Sequence, residues 1–150
     1  MKLYLLEYTC SECSQKFKSP TLTGSPYGEF ILRSSTPGKI AYLNALIDKT
    51  YDEVDEIMKS SGRVYNIYDL YKVYSYSACD PDENGNLYEI GKNPTCPNCG
   101  SLDVENWIGT YPEEFIDIDV PYLSHEKWNI KDKSEKTSII IDKMNKMNLL

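Results

Sequence analysis

Two pairs of cysteines constrain the fold of this chain more than any other feature. The first is Cys10-Ser-Glu-Cys13, the second is Cys96-Pro-Asn-Cys99, and 82 residues separate them. A C-x-x-C turn directs two sulfurs toward one point, so two such turns can supply four thiolates to a tetrahedral Zn²⁺ ion. A chain of 150 residues has room for about one ordinary domain. We therefore expect both pairs to meet within a single structure and to bind structural zinc.

Three other roles for these cysteines have to be weighed. Disulfides are disfavoured because Cys79 makes the number of cysteines odd and the apolar run 3–6 is too short for a signal peptide. A thioredoxin-like pair would open a helix, whereas Gly100 and a strand-like segment follow Cys99. Iron uses the same four-sulfur ligand set and stays open as an alternative. The thiols point to a reducing compartment, and we expect a cytoplasmic protein.

The second cysteine pair continues into Gly100 and has the form C-P-x-C-G. Together the two pairs resemble the zinc-ribbon class, in which two β-hairpin knuckles hold one structural zinc ion. The resemblance covers about residues 3–18 and 88–109. It implies that the metal ligands are Cys10, Cys13, Cys96 and Cys99. Such a four-sulfur site is coordinatively closed, so it would stabilise the fold and would not activate water.

The chain departs from a compact ribbon in two respects. Ser14 stands where many ribbons have glycine after the first knuckle, and the gap between the knuckles is far longer than a minimal ribbon needs. We therefore expect one domain over residues 1–150, with a discontinuous ribbon, an insertion at 19–87 and a C-terminal extension at 110–150. Nucleic-acid binding, which is common among compact ribbons, is not carried over to this chain.

The apolar pattern predicts an α+β fold with a mostly antiparallel sheet around the ribbon. Strands are expected over 2–8, 29–34, 102–108 and 115–120. The apolar positions of 40–47 fit one face of a helix. Thr50-x-x-Glu53 has the pattern of a capping box that opens a second helix, and Asp132-x-x-Glu135 opens a C-terminal helix to about residue 147. The insertion is thus expected to contain a helical pair.

Residues 64–77 hold five of the thirteen tyrosines. From Leu70 onward the alternation of residues fits a strand, with Tyr74 and Tyr76 on the same face. Half-buried sheet surface is the ordinary role of such a cluster, and exposed tyrosines among acids would suit a protein interface.

The acidic loop 80–86 contains Asn84-Gly85, which favours a tight turn. We therefore expect segments 70–79 and 87–91 to form a hairpin around it. The loop also offers oxygens at the first positions of a calcium-binding EF-hand loop. Position 12 is Gly91 in place of the bidentate glutamate, so a turn is the better prediction.

Charge is distributed unevenly along the chain. The net charge is −7, and residues 48–120 carry sixteen acidic and five basic side chains, whereas the flanking segments 1–47 and 121–150 are each at +2. Phosphate binding draws on clustered lysine and arginine, so we expect the middle of the chain to repel a nucleic acid. No apolar run approaches the ~20 residues of a membrane span. An acidic surface suits a basic protein partner, or it keeps the protein soluble.

Residue types that carry catalysis are few and scattered. His125 is the only histidine and is expected as a surface helix residue, and Cys79 as a small buried one. Asp117 and Asp119 alternate along a predicted strand, which is ordinary for its solvent-facing side. No known nucleophile or phosphate-binding motif occurs. We therefore expect no enzymatic activity.

The leading hypothesis is a non-catalytic, zinc-stabilised protein-binding module. One concrete form is an inhibitor or immunity-type protein that covers the basic active site of a nuclease toxin. The alternative is a nucleic-acid-associated zinc-ribbon protein, an accessory of transcription or translation. The residues expected to meet a partner are Asp52, Glu53, Asp55, Glu56, Tyr74 and Tyr76.

Overall fold

A long N-terminal strand leads from the first residues to the first cysteine pair. The computed structural model of the chain describes residues 1–24 and 26–149. In chain order its elements are β1 (Lys2–Cys10), β2 (Lys16–Leu22), β3 (Glu29–Arg33), β4 (Ile40–Asn44), α1 (Lys49–Ser60), α2 (Ile67–Ala78), β5 (Val104–Gly109), β6 (Phe115–Asp117), α3 (Glu126–Asn129) and α4 (Lys133–Lys146). The α+β class with antiparallel sheets, two helices in the middle and a C-terminal helix is confirmed.

Strand β1 is the centre of the larger sheet. It pairs antiparallel with β2 over the register Leu3↔Leu22 to Thr9↔Lys16. Its other edge is divided between two strands, because β5 pairs with residues 6–10 and β6 with residues 2–4. Strand β6, near the start of the C-terminal extension, therefore lies beside the N-terminal residues of β1.

Strands β3 and β4 form a separate hairpin that packs against the helices. Its buried residues are Leu32, Ala41 and Leu43, which lie on one face of the hairpin, as expected when one face of a sheet covers a core. The core cluster draws its residues from this hairpin, from the helices and from two connecting positions. Its members are Leu32, Ala41, Leu43, Val54, Met58, Leu70, Val73, Tyr74, Ala78, Cys79, Leu123, Trp128, Ile140 and Met144.

Side-chain caps fix where the helices begin. Asp48 accepts a hydrogen bond from the backbone N–H of Tyr51 and starts α1. Asp132 accepts one from the N–H of Glu135 and starts α4, which confirms the predicted C-terminal helix. Each cap satisfies an N–H group that lacks a partner within its helix.

Two predictions for the insertion are wrong. The segment 40–47, expected as a helix, contains strand β4, because Ala41 and Leu43 are buried by pairing with β3. The segment 70–79, expected as a strand, lies almost wholly in helix α2. Its cap is the reciprocal pair Asn66 and Asp69, each side chain accepting from the other residue's backbone N–H. The helical pair of the insertion is therefore α1 and α2.

The hairpin expected around the acidic loop is wrong for the same reason, since a helix precedes that loop. The turn itself is present, with the N–H of Gly85 donating to the carbonyl of Asp82 and Gly85 at φ +81°. After the turn the chain makes one short bridge, Glu89 to Arg33 of β3. The loop is thus held against the β3–β4 hairpin.

Within the described residues no helix is both long and apolar enough to cross a membrane.

Candidate metal centre

The first cysteine pair lies in a tight turn at the end of β1. The N–H of Ser14 donates to the carbonyl of Cys10 at 3.1 Å, and the N–H of Cys10 donates to the carbonyl of Gln15 at 3.0 Å. Ser14 takes the left-handed conformation, with φ at +61°. The chain thereby reverses and enters β2 with both sulfurs on the same side of the turn.

The second pair repeats this turn bond for bond. The N–H of Gly100 donates to the carbonyl of Cys96 at 2.9 Å, and the N–H of Cys96 donates to the carbonyl of Ser101 at 3.0 Å. Gly100 takes φ +77°, so Ser14 and Gly100 occupy equivalent left-handed positions. The two turns are joined by a hydrogen bond from the N–H of Ser11 to the carbonyl of Asp103.

The four sulfurs of these turns converge. Their ligand atoms all lie within 4.8 Å of one another, with 3.5 Å between the Sγ atoms of Cys10 and Cys99 and 3.7 Å between those of Cys13 and Cys96. A tetrahedral site with Zn–S bonds of about 2.3 Å requires sulfurs about 3.8 Å apart. All four side chains are free thiols, so neither pair is a disulfide. The arrangement fits a tetrahedral four-sulfur metal site.

Hydrogen bonds favour thiolate at the first turn. The Nδ2 of Asn98 donates to the Sγ of Cys13 at 3.5 Å, and this bond, with an N–H donor from Gln15, lowers the pKa of Cys13 to about 6. The backbone N–H of Cys13 lowers the pKa of Cys10. Metal ligands must be deprotonated, and outer-shell donors of this kind orient them.

Cys99 is shifted the other way. The backbone N–H of Ser101 lowers its pKa, but desolvation and the three neighbouring cysteines outweigh that bond and raise the pKa to about 12. Four thiols this close cannot all become thiolates without a cation between them. Cys10 and Cys96 are buried whereas Cys13 and Cys99 reach the surface, so the cluster stands at the edge of the protein.

The acidic residues predicted to meet a partner lie on α1 but differ in their contacts. Glu53 accepts from the indole Nε1 of Trp128 and from Lys136. Asp55 accepts from the hydroxyl of Tyr65 and pairs with Lys59 at 3.0 Å. Asp52 and Glu56 are exposed. Only the last two therefore present carboxylates that the fold itself does not use.

The two tyrosines predicted to share one face of a strand are on different sides of helix α2. Tyr74 is fully buried in the core, so it cannot touch a partner, and that prediction is wrong. Tyr76 is half exposed, and the ammonium of Lys143 lies 3.9 Å from the centre of its ring. Two positions along a helix turn the side chain by about 200°, which separates the pair.

His125, Tyr74 and Asp48 form a buried polar cluster, although they lie far apart in the sequence. The Nε2 of His125 lies 3.1 Å from the hydroxyl of Tyr74 and 3.5 Å from a carboxylate oxygen of Asp48, and the Nδ1 of His125 lies 2.9 Å from the carbonyl of Ala78. His125 is 9% exposed, so its expected surface position is wrong. No sequence spacing signals this cluster, because its members come from the start of α1, from α2 and from the residue before α3.

Cys79 lies at the edge of this cluster and is buried, as expected. Burial raises the pKa of its thiol well above the ordinary value. A protonated, buried thiol is a poor nucleophile. Asp117 lies elsewhere, at the end of β6, where it pairs with the N-terminal ammonium.

Comparisons with models of known protein families, with curated proteins and with solved structures found no match to this chain.

Proposed function

We propose that this protein is a non-catalytic binding module whose fold is held by a structural zinc ion and whose acidic surface meets a basic protein partner. An inhibitor or immunity-type protein against a basic nuclease toxin is one form of this function. The observation that carries the proposal is the convergence of the four cysteine sulfurs. It supports a structural role for these cysteines, in which they bind a metal ion and do not react with a substrate.

Zinc is the metal we propose, because the donor set suits it. Cys10, Cys13, Cys96 and Cys99 would hold the ion with no position left for water or substrate. Zinc has no redox chemistry and would lock the two turns together. The first turn precedes the insertion that contains helices α1 and α2, and the second turn follows it. The ion would therefore hold the two ends of this insertion together. Four thiol ligands imply a reducing compartment, and we propose the cytoplasm.

The acidic surface supports a basic partner. Of the four carboxylates on α1, Asp52 and Glu56 enter no ion pair with any residue that the structure describes. They lie four residues apart, on one side of the helix. An array of one charge sign accelerates association with an opposite charge and selects against like-charged partners.

Burial supports a non-catalytic role. His125, Tyr74, Asp48 and Cys79 form a buried cluster of acid–base and thiol groups outside the cysteine centre. Each of the four is at most 9% exposed. A substrate would have to displace core residues to reach them. Their hydrogen bonds to one another are those of a satisfied interior network.

One observation favours the alternative, a nucleic-acid-associated ribbon. Trp107 on β5 is 57% exposed beside the buried Tyr8, and exposed indoles are stacking platforms for single-stranded bases. The flanking Glu105 and Asp103 are acidic, which opposes phosphate. We therefore rank it second.

The experiment uses the zinc-loaded full chain as bait in an extract of its native host, with mass spectrometry of bound proteins. The proposal predicts a basic partner whose binding weakens about tenfold in the double variant Asp52→Asn/Glu56→Gln. The matched control is Asp103→Asn/Glu105→Gln on the ribbon, which should bind like the wild type. Equal binding of all three proteins would contradict the acidic-face proposal, and salt-sensitive binding of labelled single-stranded RNA would favour the alternative.

A further inference from the structure

An aromatic groove runs between the loop before β3, the end of β4 and the first turns of α1 and α2. It encloses about 460 Å³. The side chains that define it are Tyr27, Phe30, Leu46, Tyr51, Ile67 and Tyr71. None of them belongs to the cysteine cluster or to the acidic residues of α1.

The groove is built into the fold. Phe30 meets the ring of Tyr71 edge-on at 5.5 Å, and Tyr51 meets the core residue Tyr74 in the same way at 5.1 Å. At its rim the side chain of Leu46 covers Gly28, where an added Cβ would come within 2.7 Å of Leu46 Cγ. Its floor is therefore anchored to the core, and little ordering would be needed on binding.

The rim of the groove exposes an unusual amount of apolar surface. Tyr27 is 84% exposed and Leu46 is 59% exposed. Ile47, which follows Leu46, and Tyr68, which follows the groove residue Ile67, are also mostly exposed. A cluster of this kind on a charged protein marks an interaction site, and tyrosine is prominent among residues that dominate binding energy.

The charge around the groove selects its occupant. The three chain segments that form it, 26–30, 44–55 and 66–72, hold six carboxylates against two lysines. Glu53 and Asp55 are paired with Lys136 and Lys59, and the four remaining carboxylates still outnumber the two lysines. The carboxylate of Asp52, the residue next to Tyr51, is exposed. Burial is the main cause of the raised pKa of Tyr51, and the neighbouring Tyr71, Asp55 and Asp52 raise it further. A second copy of this chain, with its own net charge of −7, would be repelled.

We infer that this groove binds an extended segment of a basic protein partner, with an aromatic or aliphatic side chain seated between Tyr27, Leu46 and Tyr71 and with lysine or arginine facing Asp52. The inference rests on the proposed function and names the surface through which it operates. The apolar anchor supplies affinity and the flanking cations supply selectivity.

The test uses a library of random twelve-residue peptides displayed on phage, selected against the zinc-loaded full chain. The most enriched peptide is then synthesised and its affinity measured by fluorescence anisotropy. We expect enriched peptides to combine an aromatic or large aliphatic residue with an excess of lysine and arginine. Tyr27→Ser and Leu46→Ser should each weaken binding at least tenfold, and Asp52→Asn should weaken it less and reduce its salt dependence.

Tyr111→Ser is the matched control, since Tyr111 is an almost fully exposed tyrosine outside the groove. It should leave the affinity unchanged, and circular dichroism verifies that each variant folds. No enrichment, or equal affinity of wild type, Tyr27→Ser and Leu46→Ser, would overturn the groove assignment. Sedimentation that shows a dimer lost in Tyr27→Ser would overturn it in favour of a second copy.

The outcomes separate the groove from the proposed function. Basic peptides that lose affinity in Asp52→Asn/Glu56→Gln but not in the groove variants would overturn the groove and leave the acidic-face function standing. Neutral or acidic peptides that bind in the groove would overturn the inferred partner chemistry. Failure of the proposed function itself would appear in the extract experiment, where no basic protein would be retained.

Discussion

Arg33 of the β3–β4 hairpin places its guanidinium over the ring of Tyr8 on β1, with 5.8 Å between its central carbon and the ring centre. The same group donates hydrogen bonds to the carbonyl of Pro20 at 2.8 Å, to the carbonyl of Lys92 at 3.3 Å and to the hydroxyl of Ser19 at 3.3 Å. One side chain therefore joins the hairpin of the helical core to the sheet that carries the first cysteine turn.

We expect Arg33→Ala to destabilise the protein by about 3 kcal/mol, because it leaves several partly buried acceptors without a donor. The matched control is Arg63→Ala, which removes the chain's other arginine, whose bonds to Asn145 and Leu149 lie nearer the surface. We expect that control to cost about 1 kcal/mol or less. Urea denaturation of both variants measures the difference. Equal effects would contradict the joining role of Arg33.

The two cysteine turns allow a reciprocal exchange of residues. Ser14 and Gly100 are equivalent left-handed positions, and a side chain other than glycine is strained there. Ser14→Gly should stabilise the zinc-loaded protein by roughly 1 kcal/mol, and Gly100→Ser should destabilise it by a similar amount. A Cβ at Gly100 would meet no atom within 4 Å, so the effect reports backbone strain alone. Thermal unfolding with opposite signs would support this account, and shifts of the same sign would refute it.

Asp82 should make stability depend on pH in the acid range. Burial raises the pKa of this carboxyl, but the hydrogen bonds from Ser34 at 2.6 Å and from the N–H groups of Asn84 and Asn86 outweigh burial and lower the pKa to about 2. Its value in the unfolded chain is about 3.9. The stabilisation is therefore complete above about pH 4 and is lost as the pH falls toward 2.

Asp82→Asn should lower the free energy of unfolding at pH 7 by about 1–2 kcal/mol, and this gap to the wild type should narrow as the pH falls below 4. Urea titrations at several pH values measure the gap, in which effects common to both proteins cancel. Asp142→Asn, an exposed site on α4, serves as the control and should follow the wild type. A gap that stays constant into acid would show that the Asp82 charge does not stabilise the fold.

The cysteine turns could be predicted because their information is local. Each C-x-x-C turn, including the one that ends in Gly100, is recognised from no more than six consecutive residues. The structure brings the two turns together, as predicted. The strand before the first turn and the C-terminal helix with its Asp132 cap were predictable for the same reason. The secondary structure of the insertion between the two turns could not be predicted in the same way.

Helix α2 shows why part of the insertion was predicted as a strand. Its tyrosines are spaced so that a strand period fits from Leu70 onward. Leu70, Val73 and Tyr74 also follow a helical period, and all three are buried in the structure. The Asn66 and Asp69 cap was the local signal that separates the two periods. For β4 no local signal existed, since Ala41 and Leu43 are buried only because β3 pairs beside them. The aromatic groove is formed partly by α2 and by the residues that follow β4, so it could not be predicted from the sequence.

The central claim is that one zinc ion, bound by four sulfurs, holds this fold. Elemental analysis of the purified chain, with X-ray absorption at the zinc edge, tests it most directly. The account predicts one zinc per chain with four sulfurs at about 2.3 Å, retained in Cys79→Ala and lost together with the cooperative unfolding transition in Cys10→Ser/Cys99→Ser. A folded protein that carries no zinc, with its cysteines oxidised in pairs or bound to iron, would contradict it.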